Sequence, residues 1–334
     1  MYGRCAMATT NKPDSKVEAL RPYPESDKIG PIGGKRSVFD DEAELRRTMV
    51  TEFQATAESA RAAAANVDRD PVAAVHEYRK ALRRARAVLA LITDALPRNE
   101  RRALQRALRE ARRALGAARD QAVAPEAIST VELAETDRDT AKTVIAAAEG
   151  VLPADEIKQL LAEGAARAAA QVEALEAALP PTLTFETLAR GVRRVYAQAR
   201  KARTRAKRST KAFHEWRRRT KELTYQLELL AGYAGERTLA MQRSIEAVGD
   251  MQGPAVDLLM LRGLIDTHGN GIATEPIDHL AAAIEDRLGD LMSAARRAGR
   301  DVFRRKPRRF AKRLEKAVRR DLAPVAATDD LTSD

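Results

Sequence analysis

Val75-His76-Glu77-Tyr78-Arg79-Lys80-Ala81-Leu82-Arg83-Arg84-Ala85-Arg86, running on through Ala87-Val88-Leu89-Ala90-Leu91-Ile92, decides how this chain is read. Wound as a helix at about 100° per residue, it brings Arg79, Lys80 and Arg83 within about 60° of His76. Val75, Tyr78, Leu82, Ala85, Leu89 and Ile92 gather on the opposite side. One face is therefore apolar and suited to a core. The other carries an imidazole flanked by cations.

The pattern occurs twice. Phe213-His214-Glu215-Trp216-Arg217-Arg218-Arg219-Thr220-Lys221 has the same internal spacing. His214, Arg217, Arg218 and Lys221 match His76, Arg79, Lys80 and Arg83, and Phe213, Trp216, Thr220, Leu223, Leu227 and Leu230 match the first apolar set. One histidine on a basic helix is most simply a solvated surface residue. The same layout at two places points to an internal duplication and a shared anion site.

Working outward, Asp70-Pro71 starts the first histidine helix, with Asp as N-cap and Pro at the first helical position. Pro97 is expected to end it. A preceding helix is expected from Asp41 or Ser37 through Leu45, Met49 and Phe53 to about Ala65. A following one runs through Leu104 and Leu108 to about Gly116. Residues 126 to 149 and 154 to 179 read as two further helices. Pro180-Pro181 marks a boundary, after which the plan restarts. Helices are expected from Thr184 to Lys207, from a Ser209 or Thr210 cap through His214, then to Gly249, and from Pro254 to about Thr267. His268-Gly269-Asn270-Gly271 reads as a loop, and helices from Pro276 to about Arg300 and from Pro307 to Arg320 complete the body. No segment alternates as a strand would. The expected fold is all-α, two helical bundles of similar plan at residues 40–179 and 182–322. Residues 1–38, rich in Pro, Gly, Ser, Asp and Lys, and residues 323–334 read as disordered tails.

Composition narrows the function. The formal net charge is +11 and the isoelectric point about 9.9, which favours an anionic partner. The single cysteine, Cys5, excludes a disulfide framework and a zinc-ligand spacing. No apolar run is long enough to span a bilayer, and no secretion signal is visible, so a cytoplasmic location with no membrane partner is expected.

The residues quoted so far resemble a CHAD domain, the conserved histidine α-helical domain, over roughly residues 40 to 322. The resemblance is carried by the His-x-x-Arg helices at His76 and His214. Leu115-Gly116-Ala117-Ala118-Arg119-Asp120 is similar to the family's Leu-Gly-x-x-x-Asp turn, and Tyr196, Arg200 and Lys306-Pro307-Arg308-Arg309-Phe310 add weaker support. It implies two four-helix-type bundles related by a pseudo-twofold axis, with a basic cavity between them. It also implies binding of inorganic polyphosphate and association with polyphosphate granules. One departure stands out: Gly253 occupies the position in Val248-Gly249-Asp250-Met251-Gln252-Gly253 that Asp120 holds in the first half. The Glu-x-Glu-x-Lys strand motif of the triphosphate-tunnel enzymes often fused to the family is absent from the sequence.

A flexible chain of phosphates calls for fixed cations along a groove. Arginine donates two hydrogen bonds from a planar fork, and lysine adds a point charge. The candidates are His76, Arg79, Lys80 and Arg83 on the first helix and His214, Arg217, Arg218 and Lys221 on the second. Arg193, Arg200, Arg308 and Lys312 follow from two further basic runs. Each run reads equally as a solvated face or as a groove wall; in the second case Arg193 and Arg200 line it with Tyr196, with Arg46 and Arg47 as first-half counterparts. Asp120 either orients a groove arginine or caps a turn. Binding is expected to tighten as the pH falls toward about 6, because a bound polyanion raises the histidine pKa values that neighbouring cations lower. Glu77 and Glu215 follow the histidines directly and are not read as catalytic partners.

The competing reading is non-specific nucleic-acid binding by the same basic surface. Few aromatics interleave with the basic runs, which gives stacking on single strands little support. A phosphohydrolase would need clustered carboxylates for Mg²⁺ or a P-loop, and neither is visible, so the protein is read as non-enzymatic and without cofactor or metal. A scaffold that recruits granule-associated proteins is compatible with the first reading.

Overall fold

The computed structural model describes residues 37–113, 127–129, 133–148, 153–269 and 274–323. The expected tails and the Leu115–Asp120 turn lie outside these residues, apart from the stretch beginning at Ser37 and Ala323. The described part is all-α, with no strand. Its helices are α1 (Glu42–Ala65), α2 (Pro71–Leu91), α3 (Arg98–Arg113), α4 (Glu135–Ala148), α5 (Ala154–Ala178), α6 (Phe185–Arg205), α7 (Thr210–Ala234), α8 (Glu236–His268), α9 (Thr274–Val302) and α10 (Pro307–Leu322).

Local chemistry sets four of the starts. Asp41 accepts from Ala43 N and Glu44 N at the head of α1, and Asp70 accepts from Ala73 N ahead of Pro71. Thr184 caps α6 through Thr187 N, and Ser209 caps α7 through Ala212 N. Each side-chain oxygen satisfies a donor that the helix itself leaves open.

Three boundaries differ from expectation. α2 stops at Leu91, well before Pro97. A short 3₁₀ turn at Thr93–Ala95 follows, and burial of Ile92 and Leu96 folds the chain back early. The helix expected from residue 126 is interrupted: residues 127–129 are helical, Leu133 lies outside a helix and is buried in the core, and α4 begins at Glu135. The largest difference is α8, one helix from Glu236 to His268 with Pro254 inside it. Pro254 has no N–H for the Asp250 carbonyl, and the defect costs about 3 kcal/mol in a helix interior. Asp250 is solvent-exposed, so water can serve that carbonyl, while Val248, Gly249, Gln252, Ala255 and Leu258 are buried. Packing of this face outweighs the lost bond.

α1, α2, α3 and α5 pack together, and α6, α7, α8 and α10 pack together. α4 lies against α8 and α9. The first set is closed by small contacts, such as Gly164 of α5 against the Tyr78 hydroxyl. The second holds an aromatic group: Tyr196 stacks on Phe310 with centroids 4.0 Å apart, and Phe303 lies 6.0 Å from Trp216. α2 joins the two sets by touching both α6 and α7.

Candidate functional site

The two histidine helices meet. Gln226 Nε2 of α7 donates to the Ala87 carbonyl of α2 at 3.3 Å. Arg84 of α2 pairs with Glu228 of α7 at 2.7 Å and sits 5.6 Å from the Tyr225 ring centroid. α6 locks the far end of α2. A Cβ on Gly191 would lie 2.3 Å from the Leu91 carbonyl oxygen, so only glycine permits this backbone approach. Arg194 donates to the Ala90 carbonyl at 2.6 Å and pairs with Asp94.

This seam brings candidate cations from both repeats into one electrostatic neighbourhood. Burial is the main cause that holds the Arg217 guanidinium below its usual range. Arg83 of the other repeat pushes the same way, and Asp257 and Asp250 oppose it. Arg217 donates Nη1 to the Gly249 carbonyl, and Lys221 pairs with Asp250 at 2.9 Å. Gly249 and Gly253 make room for these chains: a Cβ at 249 would sit 3.3 Å from Lys221 Cε, and one at 253 would sit 3.5 Å from Arg217 Nη2. The segment aligned with the Leu115–Asp120 turn is therefore a helical shelf for Arg217 and Lys221. Arg83 is half-buried and donates Nε to the Arg79 carbonyl at 3.2 Å.

His76 is 66% exposed, with Nε2 3.9 Å from Glu77, while Lys80 reaches Glu77 at 3.3 Å. His214 is likewise exposed. The imidazoles thus stand at the solvent edge, with Arg83, Arg217 and Lys221 deeper.

Arg218 belongs to a different group. It pairs with Glu215, as does Arg219, which also reaches Glu222 at 2.8 Å. Burial pushes the Glu215 carboxyl up, but Arg219 and Arg218 outweigh it and leave it below the usual range. Arg86 is brought down to about 10, chiefly by burial, with Glu222 opposing and Arg112, Arg218 and Arg219 adding repulsion. Here carboxylates neutralise much of the local positive charge. Arg84, Arg86, Glu222, Asp250 and Asp257 escaped the sequence reading. Glu222 was detectable as a carboxylate beside the apolar set of α7, whereas the others are defined by cross-helix contacts.

The outlying candidates fare differently. Tyr196 is no groove wall: it is fully buried, and its hydroxyl donates toward the Val302 and Arg305 carbonyls at 3.0 and 3.2 Å. The apolar ring of Phe310 beneath it explains the burial. Arg200 donates Nε to the Phe303 carbonyl at 3.2 Å, and Arg203 donates to the Arg296 carbonyl at 2.8 Å. Both serve carbonyls around the end of α9, where cations are favourable. Arg193 is half-buried on α6. Arg46 holds the end of α5 through the Glu176 and Pro180 carbonyls, and Arg47 pairs with Glu44, so neither forms a wall. Arg308 and Lys312 lie on the exposed face of α10, which packs against α6, α8 and α7.

Among the described residues there is no group of three or more His, Cys, Asp or Glu side chains placed to hold a metal ion. None of the described helices is long and apolar enough to cross a membrane.

Comparison with known proteins bears on the same helices. The sequence model of the CHAD domain matches residues 50–266, which include both histidine repeats. The crystal structure of the CHAD domain from the plant Ricinus communis superposes with a TM-score of 0.55 at 21% identity, covering 79% of this chain and 94% of that one. At this identity the match establishes the fold. No curated protein matches the sequence.

Proposed function

Given that the chain belongs to the CHAD domain family, we propose that it binds inorganic polyphosphate along the seam between α2 and α7. The observation that carries this reading is the packing of the two histidine helices, α2 on α7, which sets Arg83 of one repeat near enough to Arg217 of the other to push its guanidinium down. In the absence of ligand, two guanidinium groups held together in partial burial repel each other. A polyanion laid across both relieves that repulsion and collects bidentate hydrogen bonds from each. Lys221 and Arg79 extend the cationic strip, and Lys80, His76 and His214 offer further donors at its solvent edge. Arg218 supplies positive potential through its partly neutralised network. Asp250 and Asp257 offset part of the strip's positive charge, and phosphate oxygens replace part of their role on binding.

The chemistry is recognition without bond making. The protein carries no cofactor in this reading, acts in the cytoplasm at polyphosphate granules, and can present granule-associated proteins to the polymer. The test is binding of labelled long-chain polyphosphate by the wild type, Arg83→Ala/Arg217→Ala and His76→Ala/His214→Ala, with folding checked by circular dichroism. By analogy with single strands, each cation lost should reduce the slope of log affinity against log salt by roughly 0.7. Unchanged affinity and slope in the folded Arg83→Ala/Arg217→Ala protein would overturn the reading. Phosphate release in the presence of Mg²⁺ would show hydrolysis and contradict a purely binding role.

A further inference from the structure

α10 carries a second cationic surface, built differently from the seam. Its apolar residues Phe310, Ala311, Leu314, Ala317 and Val318 are all buried against the bundle. Its cations are all exposed. On a helical wheel they occupy one arc of about 140° and form two rows. Arg308, Lys312 and Arg319 make one margin. Arg309, Arg313 and Arg320 make the other, with Lys316 between them. None of these side chains forms an ion pair with a described residue, whereas Arg217, Arg218 and Lys221 all have carboxylate neighbours. Arg304, Arg305 and Lys306 lead into the helix and add to the same end.

This is far more charge than solubility needs, and it is arranged as a rigid ridge, not a groove. We propose that α10 docks double-stranded nucleic acid through its phosphate backbones, independently of the seam. A helix about 10 Å across fits a major groove about 12 Å wide. Two cationic rows on either side of its crest then face the two strands. A bilayer surface fits less well, because interfacial helices immerse an apolar face and that face of α10 is already buried in the protein. Single strands fit less well because the arc presents no aromatic side chain for stacking. The contacts are to phosphate and therefore carry no sequence preference.

The test uses the full chain and a fluorescent duplex of mixed sequence, titrated at several salt concentrations. Arg309→Gln/Arg313→Gln/Arg320→Gln removes one row and Arg308→Gln/Lys312→Gln/Arg319→Gln the other. None of these side chains holds the described fold together. Each triple variant should lower the salt slope for duplex by roughly 2 to 3, at about 0.9 per phosphate contact, and weaken binding at least tenfold at moderate salt. The Arg83→Ala/Arg217→Ala protein should keep the wild-type slope for duplex. The Arg309→Gln/Arg313→Gln/Arg320→Gln protein should keep its polyphosphate affinity. Failure of the wild type to bind duplex, unchanged slopes in both row variants, or an equal loss in the seam variant would overturn the proposal. Row-dependent binding to phosphatidylserine vesicles with none to duplex would assign the ridge to membranes instead. Loss of polyphosphate binding with duplex binding intact would refute the seam reading and leave this one standing.

Discussion

Replacing Asp321 with alanine tests how the fold of the second bundle is closed. The N-cap of α8 is Gly235, at φ 136°, so it offers no side-chain oxygen to the open donors of the first turn. Asp321, from the end of α10, takes that place. Oδ2 accepts from Thr238 N at 3.0 Å and from Thr238 Oγ1 at 3.1 Å, and Oδ1 accepts from Arg237 N at 3.0 Å. The carboxylate side chain is 3% exposed and Thr238 is fully buried. In Asp321→Ala the two Thr238 donors lose a buried acceptor, at about 1–3 kcal/mol each before relaxation. The Arg237 N–H adds a cap term of about 0.5–1 kcal/mol. The exposed Arg237 guanidinium adds little, since water screens it. The expected loss is about 3 kcal/mol. With an unfolding entropy of about 2.1 cal/mol/K per residue, this lowers Tm by about 4 °C. Asp321→Asn keeps one acceptor oxygen and should fall between the two. The pH dependence carries a sign. Burial pushes the Asp321 carboxyl up, but the Thr238 and Arg237 bonds outweigh it, so its folded pKa lies below the ordinary value. A depressed carboxyl contributes stability that is fully present above the unfolded pKa, about 3.9, and is lost as pH falls through the folded value. The gap between wild type and Asp321→Asn should therefore be widest near neutral pH and shrink below about pH 4. Urea unfolding followed by circular dichroism at several pH values measures this. A variant within about 0.5 kcal/mol of wild type at pH 7 would mean that water caps α8 equally well.

Three further outcomes follow from the seam. Gly191→Ala drives a Cβ into the Leu91 backbone, where no flexible side chain can give way. It should destabilise by about 2–4 kcal/mol, an overpacking cost at the high end of the usual range, whereas Gly232→Ala, which meets nothing within 4 Å, should be neutral or mildly stabilising in the same denaturation assay. A double-mutant cycle on Arg84 and Glu228, which pair across the two repeats at 2.7 Å in partial burial, should give a coupling of about 1 kcal/mol; a coupling near zero would show that the seam is held by packing alone. Gly253→Asp sets a carboxylate beside Arg217 without a clash, since the Cβ clears Nη2 at 3.5 Å. It should leave Tm nearly unchanged while weakening polyphosphate binding severalfold in an anisotropy titration.

The local part of this architecture was legible because helices are written in short-range code. The 3.6-residue period assigned His76, Arg79 and Lys80 to one face of α2 and Tyr78, Leu82 and Leu89 to the core, and these last three are fully or nearly fully buried. Caps at Asp41, Asp70 and Ser209 were visible because each acts on donors two or three residues away. The duplicated histidine pattern was visible as a repeat. What escaped depended on partners far along the chain. Pro254 signals a break, yet the α8 face packed against α7 keeps the helix whole. Tyr196 sits among arginines in sequence, yet Phe310 and Phe303 enclose it. Arg200 and Arg46 read as cations of a groove wall, yet each donates to a carbonyl of a distant segment.

The sequence by itself therefore determined the helices, their buried faces and the twofold recurrence of a histidine with cations. Those properties rest on backbone period and neighbouring side chains. The tertiary structure decided which cations share a neighbourhood. It placed Arg83 with Arg217 across the seam, drew Arg218 into a carboxylate network, and left the α10 arc exposed. Charge adds up along a chain from composition alone, but a binding surface depends on distances between groups that meet only when the chain is packed.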